Sequence, residues 1–338
     1  MVVMSGSRTE AHSNSAPETV LRAGGMVSAY RLEAIVGTGG MGWVYRARHA
    51  LTSRVVAIKV LREDQLAFDR SVDRMMREAS ILASVSHPGI PRFYECGLLD
   101  DGRPWIAMEL VQGSPLIARL QKHAQLDPTD VIELVGGVAS VLAAAHARGV
   151  THRDLKPDNI VLTPTDRDFP LRVLDWGIAH HLTGARLTNL NEAIGTPTYM
   201  APEQARGGPT NGHCDVYGLG VVAYQALAGR PPFVGSTAVE ILVQHLNRPV
   251  PPLAPRCPEA PAGLVELVER MLCKGFEQRP SAQDVCFEID RLRADLADRT
   301  YASYELDAVP TAIEEGWRTP KTAQMRAPKP PPDCDLPD

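Results

Sequence analysis

THRDLKPDNI, residues 151–160, sets a His, an Arg, a Lys, an Asn and two Asp within ten positions. Asp, Asn and Pro favour turns whatever their function, so the simplest reading of the stretch is a solvated loop. Three of its side chains also make a compact chemical set: a carboxylate at Asp154, an ammonium at Lys156 and an amide at Asn159. The sequence on either side decides between the two readings.

Upstream, DPTDVIELVGGVASVLAAAHARG predicts a long helix, with Asp127 as N-cap and Pro128 at its first position. Before Gly113 the pattern changes. YRLEAIV (30–36), WVYRARH (43–49), VVAIKVL (55–61), FYECGLL and PWIAMEL read as five strands, with a charged helix at about 68–85. A small β-rich half followed by a larger, mostly helical half is an unequal two-lobed α+β arrangement. The Ser-, Thr- and Ala-rich start, taken as 1–29, reads as disordered, and 297–338 as a Pro-rich tail or linker. The folded part is then 30–296, divided near Val111 into 30–111 and 112–296.

The chain has 338 residues, 44% hydrophobic, enough to bury a core, and its net charge of −5 gives no general reason to bind nucleic acid. Six cysteines without a C-x-x-C pair supply neither a disulfide framework nor zinc spacing, and read as reduced, buried thiols in a cytoplasmic protein. The apolar stretch VYGLGVVAYQALAG (216–229) falls short of the roughly 20 residues that span a bilayer, so it reads as a buried core helix and no membrane segment is expected.

GTGGMG (37–42) fits G-x-G-x-x-G, yet Gly42 runs into a strand and no Lys-Ser/Thr follows, which excludes the dinucleotide fold and the P-loop. Glycine here serves a hairpin for steric reasons, or lets its backbone approach a polyphosphate. Lys59, flanked by apolar residues within a central-looking strand, needs an anionic partner, and Glu78 on the following helix is the expected one. Such a pair at 4 Å is worth roughly 4 kcal/mol before desolvation is subtracted.

With GTGGMGWV, VAIK, THRDLKPDN, DWG and APE in this order, the sequence resembles a protein kinase. Its loop and the run GTPTYMAPEQ are most similar to the eukaryotic-like Ser/Thr kinases of bacteria. The resemblance covers about residues 30–295 and implies the two-lobed kinase fold. It implies ATP and Mg²⁺ as cofactors and protein Ser/Thr hydroxyls as acceptors, the last from Lys156 and the Gly195-Thr196 shelf. Gly37, Gly39 and Gly42 would cover the phosphates, Val44 and Ala57 would sandwich the adenine, and Met108, Glu109 and Val111 would form the gatekeeper and hinge. Lys59, positioned by Glu78, would hold the α- and β-phosphates. Asp154 would accept the hydroxyl proton, Lys156 would meet the γ-phosphate, and Asn159 and Asp175 would hold metal.

Arg153 would pair with a phosphate on Thr188 or Thr183 of the activation segment, a regulatory contact. Glu203 with Arg279 would prop that segment, and Asp215 would brace the catalytic loop. Trp43 would cap the site. Trp176 stands where the family has Phe or Leu, the one departure that leaves room for a pseudokinase-like ATP-binding scaffold as the rival function. A kinase fold acting on a small metabolite is a third reading. His180 and His181 read as a solvated segment, Thr311, Thr319 and Thr322 as tail phosphosites, and bacterial relatives suggest a homodimer through the small lobe.

Overall fold

The computed structural model describes residues 20–39, 42–61, 79–163, 166, 169–176 and 197–307, with side chains to residue 298. Contacts divide the chain into two compact units, Met1–Asp295 and Leu296–Asp338. All that follows concerns the first.

Its N-terminal half is a six-stranded antiparallel sheet, β1 (Met26–Val27), β2 (Tyr30–Gly39), β3 (Gly42–His49), β4 (Val55–Leu61), β5 (Phe93–Leu98) and β6 (Pro104–Glu109), in the order β1-β2-β3-β4-β6-β5. Residues 79–83 are helical. Strand alternation gives the sheet two faces of different character. Tyr30, Leu32, Trp43, Tyr45, Ala47, Val56, Ile58, Val60, Trp105 and Ala107 form one buried cluster. The alternate residues Val44, Ala57, Lys59, Ile106 and Met108 lie on the opposite face.

Two expectations change here. The segment from Val20, read as disordered, is folded: the Leu21 amide donates to the Tyr45 hydroxyl at 3.1 Å, the Gly24 amide to the Leu32 carbonyl at 2.8 Å, and β1 pairs with β2. It covers the apolar face, a need that its polar composition hid. Trp43 does not cap the site; it is 9% exposed and packs into that same cluster opposite Val60.

The second half contains helices α1 (Leu116–Lys122), α2 (Pro128–His146), α3 (Pro202–Ala205), α4 (Gly212–Ala228), α5 (Ala238–Asn247), α6 (Ala262–Met271) and α7 (Ala282–Asp307). Asp127 caps α2 as expected, its side chain accepting from the Thr129 amide at 2.8 Å. By length and composition α2 could cross a bilayer, but Val131, Ile132, Val135, Val138 and Leu142 along it are buried in the protein. The stretch 216–229 is a core helix, α4, ended by Gly229 in the left-handed conformation at φ 76°. Helix α7 runs to Asp307, past the expected start of the irregular tail. A short sheet, β7 (Ser114–Pro115), β8 (Ile160–Leu162) and β9 (Leu171–Val173), completes the half.

Candidate active site

Register explains how distant residues meet. Val44 pairs with Lys59 and Ala57 with Met108, so β3, β4 and β6 present a small apolar patch and one ammonium on the same face. Gly37 pairs with Val44, and Gly39 with Gly42 closes the hairpin end. Glu109 ends β6, its amide donating to the Arg92 carbonyl at 2.8 Å, and Val111 follows it, half-buried. The glycines differ: a Cβ on Gly42 would sit 2.0 Å from the Val60 carbonyl oxygen, whereas one on Gly37 would meet only Val44 at 3.6 Å. Gly42 is required by β4, and Gly37 is not required by any protein atom near it.

In the C-terminal half, Ile160 of β8 pairs with Val173 of β9, which sets Asn159 beside Leu174 and the Leu174 amide 2.7 Å from the Asn159 carbonyl. Asp154 and Asp175 are thereby brought to one place. Lys156 Nζ donates to Asp154 Oδ2 at 2.8 Å, and Asn159 Nδ2 to the Asp154 carbonyl at 2.7 Å and its Oδ2 at 3.2 Å. Lys59 reaches across from β4 to Asp175 Oδ1 at 2.8 Å, and its charge holds the Asp175 carboxyl below the ordinary range against burial. Among the described residues, Asn159 Oδ1 and Asp175 Oδ2 carry no hydrogen bond. Two hard oxygens suit a magnesium ion, which completes its shell with water and phosphate. No described group of three His, Cys, Asp or Glu could hold a metal.

The loop rests on a buried frame. Asp215, 1% exposed, accepts from the His152 and Arg153 amides at 2.7 Å each and from His146 Nε2 at 2.8 Å. Burial pushes its carboxyl up, but the His146 hydrogen bond and charge, with those of His152, outweigh it and keep the group below the usual range. Arg153 (φ 66°) and Asp175 (φ 53°) both hold left-handed backbone, a strain that such contacts maintain. Trp176 is buried, its Nε1 donating to the Val173 carbonyl at 2.9 Å and its ring tilted 4.9 Å from His152. Arg279 spends all five N–H donors, on Glu203 Oε1 and Oε2 at 2.7 and 2.9 Å and on the carbonyls of Cys273, His213 and Lys274. Gln204 Nε2 ties this region to the Arg153 carbonyl at 2.8 Å.

Glu78, Thr183, Thr188, His180, His181, Gly195, Thr196 and the tail threonines lie outside the described residues, so the expected Lys59–Glu78 pair does too. The cysteines are corrected in part: Cys214 and Cys257 are buried, but Cys96 is exposed on β5. Sequence reasoning missed the Lys59–Asp175, Trp176–Val173 and Gln204–Arg153 contacts. Only the Trp176 indole, a buried donor needing an acceptor, carried a readable signal.

Comparison with known proteins agrees with this geometry. The protein kinase domain family matches residues 30–288. The serine/threonine-protein kinase pkn3 of Myxococcus xanthus is 39% identical over 289 residues, covering 81% of this chain and 52% of its own length. Serine/threonine-protein kinase PknA of Mycobacterium tuberculosis is 37% identical over 254 residues, covering 74% and 58%. The chain thus spans between half and three-fifths of the length of these curated relatives. The crystal structure of the Mycobacterium tuberculosis PknI kinase domain superposes with a TM-score of 0.65 at 29% identity, over 80% of this chain and 99% of that one. A family match across the folded unit, and a two-lobed fold shared with a solved kinase domain, make this chain a member of the protein kinase family.

Proposed function

We propose that the protein is a serine/threonine kinase that transfers the γ-phosphoryl group of ATP, with Mg²⁺, to Ser and Thr hydroxyls of protein substrates. One observation carries this reading: Asp154, Lys156, Asn159, Asp175 and Lys59 converge from separate segments on one half-exposed, hydrogen-bonded set. The names of pkn3 and PknA support the acceptor class.

Phosphoryl transfer asks the protein for in-line positioning and for neutralisation of phosphate charge. Asp154 Oδ accepts the proton of the acceptor hydroxyl. Lys156, now on Asp154, turns to the γ-phosphate, and Lys59 releases part of its hold on Asp175 to meet the α- and β-phosphates. Asn159 and Asp175 would hold the magnesium, which supplies further charge neutralisation when bound. Gly37, Gly39 and Gly42 cover the phosphates, while Val44, Ala57, Met108, Glu109 and Val111 enclose the base. We read 30–296 as the catalytic domain, with 20–29 as its backing. Regulation would run through Thr188 or Thr183 and Arg153. Free thiols, Cys96 exposed among them, and the use of ATP favour a cytoplasmic setting.

The test is transfer of labelled γ-phosphate from Mg²⁺-ATP to the chain itself and to a generic basic protein, wild type against Asp154→Ala. Loss of the base should lower the rate by about 10²–10⁴ while ATP binding persists. Label on Ser or Thr that vanishes in the variant is the expected result. Undiminished transfer by the variant would remove Asp154 from its role, and ATP binding without transfer by wild type would favour a scaffold.

A further inference from the structure

The turn Pro197–Tyr199 sits beside the catalytic loop. A Cβ on Gly218 would lie 3.2 Å from the Leu155 carbonyl oxygen and 3.5 Å from that of Tyr199, so a missing side chain lets loop and turn approach across α4. The Tyr199 phenol, raised by burial and by the Asp158 charge, donates to Gln225 Oε1 at 2.6 Å. Behind the turn lies a polar relay that phosphoryl transfer does not use. Lys274, after α6, donates to the His245 carbonyl at 2.7 Å and towards the Tyr217 hydroxyl at 3.4 Å, with its ammonium 4.2 Å from the Phe233 ring centre. The Tyr217 hydroxyl is 2.8 Å from His245 Nδ1.

Donor and acceptor roles follow from chemistry. An ammonium can only donate, so the Tyr217 oxygen accepts from Lys274 and its proton goes to His245 Nδ1. Burial, then the Lys274 charge, push the His245 pKa down to about 4, so the imidazole is neutral at physiological pH. With Nδ1 accepting, the ring proton must be on Nε2. That nitrogen is fully buried without a partner at hydrogen-bond distance, and the Thr198 backbone is the group that acts on the ring against burial. A buried donor left unmade costs stability, and active-site hydrogen bonds often close only when substrate binds.

We propose that His245 is a positioning residue for the protein acceptor: its Nε2–H, oriented through Tyr217 and Lys274, closes on the Thr198 carbonyl when the Pro197–Tyr199 turn receives substrate. This rests on the kinase reading above, and sets acceptor affinity without touching ATP.

Full-length chain is assayed with a basic Ser/Thr-containing protein as acceptor, and acceptor-independent ATP hydrolysis is followed in parallel. His245→Phe keeps the ring volume and removes both nitrogens. It should raise the acceptor KM roughly five- to tenfold, the worth of one hydrogen bond, with the KM for ATP and the hydrolysis rate unchanged. His245→Gln, which keeps a donor, should recover part of the loss. Should His245→Phe fail to fold, Tyr217→Phe removes only the orienting hydroxyl and should raise the acceptor KM by a smaller factor. An unchanged acceptor KM beside a lowered melting temperature overturns the proposal, because His245 then only fills space. Two-bond ¹H–¹⁵N spectra of His245 give a readout free of activity: the Nε2–H tautomer is expected, and the Nδ1–H tautomer would sink the relay. Absence of transfer by wild type defeats the kinase reading instead, and leaves that spectrum to judge the geometry.

Discussion

Lys59–Asp175 and Lys156–Asp154 each close at 2.8 Å, about as tight as Arg279–Glu203 at 2.7 Å. Their surroundings differ. The side chains of the two lysine pairs are between 15% and 47% exposed, whereas those of Arg279 and Glu203 are 0% and 10% exposed. A lysine is a point charge on a flexible stem, and in contact with water it can trade one anion for another at little cost. A guanidinium with all five donors engaged has no such freedom, and breaking it strands a charge in the interior. Equal distances thus mark exchangeable contacts on the reacting face and a fixed frame beneath it.

The contrast breaks first at the frame. Arg279→Met should cost about 3–5 kcal/mol in denaturant unfolding, because Glu203 is left buried and unpaired. A loss below 1 kcal/mol would show that the pair relaxes as the lysine pairs do. The two glycines of the hairpin sharpen the same division within one motif. Gly42→Ala should destabilise the protein by roughly 1–3 kcal/mol through its clash with the Val60 carbonyl and its φ of 153°. Gly37→Ala should leave the melting temperature alone and raise the KM for ATP. Equal melting temperatures for both variants would contradict the steric account. The smallest effect is at Trp176→Phe, which keeps an aromatic ring and loses the bond to Val173, worth about 1 kcal/mol. Thermal unfolding measures it, and no change would mean that packing on His152 alone seats the ring.

The strand pattern around Lys59 was legible because alternation is a local property: apolar residues on both sides of the lysine fixed its strand, and the motif order fixed its partner strands. The same alternation assigns Trp43 to the core, since it sits one residue from Val44 and so on the other face; its place in the glycine loop drew the expectation towards the site instead. The backing by Leu21 and Gly24 could not be read, because a short polar segment shows no period of its own and is ordered only by the face it covers. Asp215 was legible as a brace only through the resemblance. Its partners His146, His152 and Arg153 lie between 62 and 69 residues away, and nothing in spacing joins them.

Four described residues other than glycine hold positive φ: Ser28 at 49°, Ser53 at 58°, Arg153 at 66° and Asp175 at 53°. A programme of protein engineering that scored backbone strain alone would nominate glycine at all four. At Ser28 and Ser53, in the turns between strands, the exchange would be harmless. At Arg153 and Asp175 it would yield a sturdier protein stripped of a phosphate partner and a metal ligand. Selection for heat resistance without selection for turnover would therefore erode this catalyst first at the residues whose conformation is least comfortable.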